Sequence, residues 1–341
     1  MPPAAPPTLP DLPDLPDLLD AAHVVRLPLR RRFRGILERE AVLLRGPAGW
    51  GEFAPFLEYG PAESSRWLAA AVEAAWDGFP VPLRDRVEVN ATVPAVAADD
   101  VPAVLAGFPG CRTAKVKVAE AGADFPVRLR EDVARVAAVR AALGPGAAVR
   151  VDANGGWSVE QAERALTELA PHGLEYAEQP CATLEEMAEL RRRLHAAGTP
   201  VPLAADESVR KAEDPLRVAG LEAADVVVLK VAPLAGVRRA LEVAQGCGLP
   251  VVVSSALDTS VGIAAGTALA AALPDLPFAC GLGTAALLEH DVVTDPLLPV
   301  AGHLPVGPVA ADPDLLRRFA APAERRQWWR ERIAAAHAHL P

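Results

Sequence analysis

The strongest constraint on this chain is a change of texture near residue 86, after which short apolar runs alternate with amphipathic segments rich in Ala, Arg, Glu and Leu. Such alternation marks repeated βα units that feed a parallel sheet. The runs that read as strands are Val87–Val93, Arg112–Val118, Ala148–Ala153, Leu174–Glu178, Val201–Asp206, Asp225–Lys230, Pro250–Ser255 and Phe278–Leu282. Eight parallel strands at intervals of about 25 to 35 residues suit a closed barrel, because an open doubly wound sheet seldom runs so far. The barrel is therefore expected over residues 86–285.

Residues 1–20 carry a Pro-Asp-Leu repeat. Proline every third residue blocks regular hydrogen bonding and predicts an extended, mobile arm. Residues 21–85 read as a small α+β domain, with β-like runs His23–Leu29, Glu40–Arg45 and Gly49–Phe56 before a helical pattern over 62–79. In the tail, residues 286–341, Pro313–Phe319 and Ala323–Ala336 read as helices able to return to that first domain.

The placement of charge along the barrel carries the chemistry. Lys115 and Lys117 stand in Ala-Lys-Val-Lys-Val near the end of the second strand, and alternation points both to one face. Asp152 ends the third strand, Glu178 the fourth, Asp206 the fifth and Lys230 the sixth. Strand ends meet around one mouth in such a barrel, so these residues are expected to converge at one height. Three carboxylates brought together repel one another unless a cation neutralises them. Oxygen-only ligands favour a hard ion, Mg²⁺ or Mn²⁺. Positive charge there would stabilise the enolate formed when a substrate carboxylate loses its α-proton. Lys117, with like-charged Lys115 beside it, is the candidate base, and Lys230 faces it from across the ring. Side-chain alternation lets only one of Asp206 and Glu207 face inward.

Composition narrows the remaining possibilities. The formal net charge is −10 and the one basic run is Arg30-Arg31-Arg32 with Arg34, so a nucleic-acid partner is not expected. Four scattered cysteines without a CxxC pair suggest neither zinc nor a disulfide framework. Apolar stretches of spanning length are all broken by Pro, Gly or charge, and no signal peptide is recognisable, so no membrane partner and a cytoplasmic location are expected. No histidine falls at a strand end, so no histidine base is expected.

The Lys-x-Lys pair, the Asp/Glu/Asp set and the opposing lysine resemble the enolase superfamily, specifically its muconate-lactonizing subgroup. The resemblance implies a (β/α)7β barrel with an N-terminal α+β capping domain and a C-terminal return to the cap. It favours Asp206 over Glu207 as ligand. Val-Asn-Ala-Thr-Val-Pro (89–94), Asp-Ala-Asn-Gly-Gly-Trp (152–157), Ser-Ser-Ala-Leu-Asp-Thr-Ser-Val-Gly (254–262) and Cys-Gly-Leu-Gly-Thr (280–284) look like the o-succinylbenzoate synthase family of the compact actinobacterial kind. That resemblance implies syn-dehydration of a succinyl-hydroxycyclohexadiene carboxylate in menaquinone synthesis, with Lys117 as base and then acid. Lys230 would stabilise the intermediate from the opposite face.

A small dicarboxylate substrate gives two further groups a purpose. Ser254, Ser255, Gly281 and Gly283 end the last two strands, where small residues and bare N–H groups suit a carboxylate; they equally suit tight turns. The basic loop Arg31–Arg39 occupies the position of the superfamily's lid, which points to Arg31–Gly35 as a cover or as a solvated turn. Asn154 is a candidate support behind the metal ligands, as is Glu207, although Asn-Gly-Gly also marks a turn. A racemase of N-succinyl or N-acyl amino acids and a dipeptide epimerase are the rival activities on this scaffold. The epimerase reading is weakened because Gly281-Leu282-Gly283 stands where that family carries Asp-x-Asp. A catalytically silent binding barrel is opposed by the presence of every charged residue the chemistry needs. The chain is expected to be a monomer or a small homo-oligomer.

Overall fold

The structure, a computed structural model, describes residues 13–340 except Arg34, Ala123, Pro200 and residues 211–216. The first part of the Pro-rich arm lies outside these residues, but its end is not extended. Leu15–Asp20 forms helix α1. Proline is tolerated in a first helical turn, where its N–H is not needed, and Leu18 is completely buried against the cap. Burying that leucine, worth roughly 2 kcal/mol, orders a segment whose repeat alone predicts none.

The cap is an antiparallel sheet of β1 (Ala22–Phe33), β2 (Ile36–Arg45) and β3 (Trp50–Phe53), backed by α2 (Pro61–Val72) and a π-helical turn, Glu73–Asp77. The β1–β2 hairpin runs further than its sequence suggests because the exposed Arg30–Arg32 disguise its tip. Gly46 and Gly51 permit close packing: a Cβ on either would strike the carbonyl of Ala75 or Ala71.

The barrel follows as β4 (Arg86–Glu88), β5 (Ala91–Val93), α3 (Val101–Leu105), β6 (Thr113–Lys117), α4 (Phe125–Leu143), β7 (Ala148–Asp152), α5 (Val159–Leu169), β8 (Leu174–Glu178) and α6 (Leu184–Ala196). It continues through β9 (Leu203–Ala205), α7 (Glu207–Arg210), α8 (Arg217–Gly220), β10 (Val226–Leu229), α9 (Val237–Cys247), β11 (Val251–Val253) and α10 (Ser260–Ala272). Helices α5 and α6 start at capping boxes, Ser158 with Gln161 and Thr183 with Glu186, which satisfy otherwise orphaned N–H groups. Strands β5 to β11 pair in sequence order, all parallel.

The eighth strand is reduced to bridges, Ser254 to Gly281 and Cys280 to Val89, which close the ring. Gly281 N donates to Val253 O at 2.8 Å and Asn90 N to Cys280 O at 2.9 Å. The first expected strand is divided: β5 joins the barrel, whereas β4 pairs antiparallel with β12 (His303–Pro305). The division falls at Val89 and Asn90, whose N–H groups bond to Gly302 and Cys280, on different partners. Helices α11 (Pro313–Arg318) and α12 (Ala323–His337) complete the chain. Helix α12 lies on the cap, where Trp329 and Ile333 join Leu18, Val42, Phe53 and Trp67 in one apolar cluster. Trp329 Nε1 and Arg325 both donate to Glu40, at 2.8 and 2.7 Å. Among the described residues no helix is long and apolar enough to cross a membrane.

Below the mouth the barrel is filled by Tyr176, Ala204, Val226, Val228 and Val252, with Phe278 against them. One charged side chain shares this floor. Arg150 is completely buried, donates to Ala279 O at 2.7 Å, Asn90 Oδ1 at 3.1 Å and Glu175 Oε2 at 2.5 Å, and lies 4.7 Å over the Tyr176 ring. Removing it strands two buried acceptors and opens a void under the site. Arg150→Ala should therefore lower stability by about 3 kcal/mol, measured as a shift in the urea unfolding midpoint. A shift within experimental error would show that the floor does not depend on this guanidinium.

Candidate active site

Alternation along each strand turns Lys115 and Lys117 of β6, Asp152 of β7, Glu178 of β8, and Asp206 and Lys230 just past β9 and β10 toward the mouth. Register refines the expectation of a single height. Lys117 pairs with Asp152 and Asp152 with Glu178, but Glu178 pairs with Ala204 and Ala204 with Val226. Asp206 and Lys230 thus sit progressively further along their strands, a stagger that strand tilt in a closed barrel absorbs.

All these groups are buried, and they are paired. Lys115 Nζ lies 2.6 Å from Glu178 Oε1 and 3.2 Å from Asp152 Oδ2. Lys117 Nζ donates to Asp152 Oδ2 at 2.5 Å and to Asn154 Oδ1 at 2.8 Å. Lys230 Nζ donates to Asp206 Oδ2 at 2.5 Å. Burial lowers the Lys117 ammonium below its usual range and Lys115 assists, with Asp152 opposing. Burial works against the Lys115 charge too, but Glu178 and Asp152 overcome it and hold Lys115 well above the usual lysine range. Asp152 is held well below the carboxylate range, because Lys117 and Lys115 outweigh its burial. Glu178 is pushed up to about 7 by burial and by the neighbouring carboxylates Asp152 and Asp206, against the pull of Lys115 and Lys230.

Among the described residues no group of three His, Cys, Asp or Glu side chains forms a ready-made metal cage. Asp152, Glu178 and Asp206 each accept from a lysine ammonium. The donor set nevertheless fits a hard cation. Asp152, Glu178 and Asp206 offer only oxygen, and Glu178 Oε2 is buried with no hydrogen-bond partner.

A cavity of about 30 Å³ marks the mouth, lined by Lys115, Lys117, Asp152, Asn154, Lys230, Ser254, Ser255 and Gly281. Gly283 is not on this wall; a Cβ there would meet Asn90 O and the Phe108 ring. Its place near the mouth is taken by Thr284, which also lines the cavity and lies 2.7 Å from Ser255 Oγ. Glu207 stands to one side as the receiver of a 3.2 Å bond from Asn154 Nδ2, so Asn154 links it to Lys117.

The sequence reading missed several contributors. Phe33, at the tip of β1, lies with its ring 5.8 Å from Lys117 Nζ, while Arg31 and Arg32 face solvent; Arg34 lies outside the described residues. Gln179 is completely buried and ties two strand ends together: its Oε1 accepts from Asp206 N and Ser208 N at 3.0 and 3.1 Å, and its Nε2 donates to Ser208 Oγ and Cys181 O. Its place directly after Glu178 was the available signal.

Two family models match the chain, "Enolase N-terminal domain-like" over residues 24–75 and "Enolase C-terminal domain-like" over residues 100–310. A capped barrel with lysines and carboxylates gathered at its mouth is thus an enolase-type protein. The o-succinylbenzoate synthase of Mycolicibacterium smegmatis is 58% identical over 321 residues, 94% of this chain and 96% of that protein. The o-succinylbenzoate synthase of Thermobifida fusca is 59% identical over 313 residues, 92% of this chain and 94% of that one. Among solved structures, muconate lactonizing enzyme from Pseudomonas putida matches with a TM-score of 0.71 at 23% identity, over 88% of this chain and 98% of the other. The N-succinyl Arg/Lys racemase from Bacillus cereus matches at 0.71 and 19%, over 88% and 97%. These structures show a shared fold. The chain belongs to the o-succinylbenzoate synthase family of the enolase superfamily.

A cation bound only by the folded state stabilises it by about 2.7 kcal/mol at a hundredfold excess over Kd. Chelator-treated protein should accordingly show a higher Tm on addition of Mg²⁺, and Asp152→Asn should abolish that rise. An equal rise in the variant would remove Asp152 from the ligand set.

Proposed function

We propose that this chain dehydrates 2-succinyl-6-hydroxy-2,4-cyclohexadiene-1-carboxylate to 2-succinylbenzoate, a hydro-lyase step of menaquinone synthesis that requires a divalent cation. The observation that carries the reading is the pair Lys117 and Lys230, delivered by opposite strands of one ring, with Asp152, Glu178 and Asp206 between them. Asp152, Glu178 and Asp206 would hold Mg²⁺ or Mn²⁺. When bound, the ion supplies positive charge that stabilises the negative charge gathering on the substrate carboxylate as the α-proton leaves.

Lys117 serves as base. Its ammonium is disfavoured by burial and by Lys115, so the neutral amine needed for proton abstraction is accessible. After abstraction the same amine carries the proton. It returns that proton to the hydroxyl on the same face; the carbon–oxygen bond breaks, water departs and the ring becomes aromatic. Lys115, held charged by Glu178 and Asp152, contributes fixed positive potential beside the base. Lys230 stabilises the carbanionic intermediate from the opposite face. Asn154 accepts from Lys117 and fixes where the amine points. Ser254, Ser255 and Gly281, with Thr284, form the wall that receives the succinyl arm of this small dicarboxylate. The family membership at 58–59% identity supports this reaction over a racemisation on the same scaffold.

Loss of the cyclohexadiene absorbance on addition of Mg²⁺-loaded protein tests the reaction itself, and absence of turnover sinks it. Lys117→Ala should lower kcat by roughly 10²- to 10⁴-fold, the usual worth of a positioned general acid and base. Lys230→Ala should abolish dehydration yet retain exchange of the substrate α-proton in D₂O. Loss of exchange as well would contradict the assignment of Lys117 as the sole base.

A further inference from the structure

The loop after β11, Ser254–Thr259, is held from both sides by the cap. Arg39 of β2 is 4% exposed despite its charge. Its guanidinium donates to Leu257 O at 3.1 Å, to Ala256 O at 3.4 Å and to Ala54 O, and lies 4.7 Å over the Phe56 ring. On the other side Glu52 of β3 accepts from Thr259 N at 3.0 Å, Thr259 Oγ1 at 2.5 Å and Gly262 N at 3.1 Å. Between the two, Leu257 is buried at φ +65°, in the left-handed region. A non-glycine residue held there is strained and persists only where its surroundings enforce it. Asp258 Oδ2 accepts from Ala256 N at 3.0 Å and tightens the turn. Ser254, Ser255, Ala256, Leu257 and Phe56 all line the mouth cavity.

A trans peptide points its carbonyl and the following N–H in opposite directions. A fork that draws the Ala256 and Leu257 carbonyls toward the cap therefore turns the N–H groups of Leu257 and Asp258 the other way. Lysine cannot substitute, since three carbonyls at fixed spacing call for the planar fork of a guanidinium. Loss of the fork leaves buried carbonyls unsatisfied and removes the restraint on Leu257.

We propose that Arg39 is a positioning residue for substrate: it holds the Ala256 and Leu257 carbonyls so that the N–H edge of the Ser254–Thr259 loop faces the substrate's distal carboxylate. Arg39 itself does not touch the substrate. The ligand's identity rests on the dehydration reading; the restraint on the loop does not.

The test compares wild type, Arg39→Met and Arg39→Lys in the Mg²⁺-loaded full chain. Calorimetric titration with 2-succinylbenzoate should show Kd raised at least tenfold in both variants. Titration with benzoate, which lacks the succinyl arm, should show a change of less than twofold. Equal weakening for both ligands, or none for either, would overturn the proposal, because a general structural role does not distinguish the arm. KM for dehydration should rise by a larger factor than kcat falls. Amide hydrogen exchange at residues 256–259 should quicken in both variants; unchanged exchange overturns the restraint whatever the ligand. Wild type that fails to bind 2-succinylbenzoate would overturn the dehydration reading, leaving the exchange result to decide the role of Arg39. Should Arg39→Met not fold, Arg39→Lys carries every comparison.

Discussion

Six buried charges at the end of a barrel tolerate one another only as a set. Lys115, Lys117 and Lys230 balance Asp152, Glu178 and Asp206, and each ammonium is in contact with at least one carboxylate. Deleting any one member leaves a buried charge without compensation, which is far costlier than the pair is stabilising. A barrel suits this balance, because a closed ring turns charges from five strands toward one mouth while their main chains stay hydrogen-bonded.

The cap is bound to this ring through carboxylates placed on the starts of barrel helices. Glu52 meets the N–H groups that open α10, and Glu73 meets those of Val237 and Arg238 at the start of α9, with the Arg238 side chain 2.9 Å away. Helix N-termini favour such acceptors, since their N–H groups have no partner within the helix. The glycines beside these carboxylates are there for room: a Cβ at Gly236 would strike Glu73, and one at Gly262 would crowd Glu52. Cap and barrel thus meet close to the mouth.

Barrel strands were legible because their residues obey a local rule. Asp152, Glu178, Asp206 and Lys230 each follow a short run that is largely apolar, and period-two alternation then assigns a facing without any knowledge of neighbours. What the sequence hides is contact between distant segments. Arg39 reads as one more basic loop residue until Leu257, more than two hundred positions later, places a carbonyl against it. Phe33 sits beyond three exposed arginines, and nothing local shows that its ring turns in over Lys117. The split of the first expected strand at Val89 and Asn90 is likewise decided by Gly302 and Cys280, which no window of neighbouring residues contains.

This division follows the division of labour in the molecule. Proton abstraction needs a few charges at fixed spacing on strands, so it is written in short motifs that recur every 25 to 35 residues. Choice of substrate needs a wall, and the mouth cavity here is lined by the loop after β11 together with Phe33 and Phe56 of the cap. Its shape is set by hydrogen bonds across the domain boundary, where one guanidinium and one carboxylate hold opposite sides of a strained turn. Chemistry of this kind can therefore stay fixed while specificity drifts. A substitution in β1 or β2 reaches the wall through Arg39 or Phe33 without touching any of the six charges, whereas a substitution among the six leaves a buried charge without its partner.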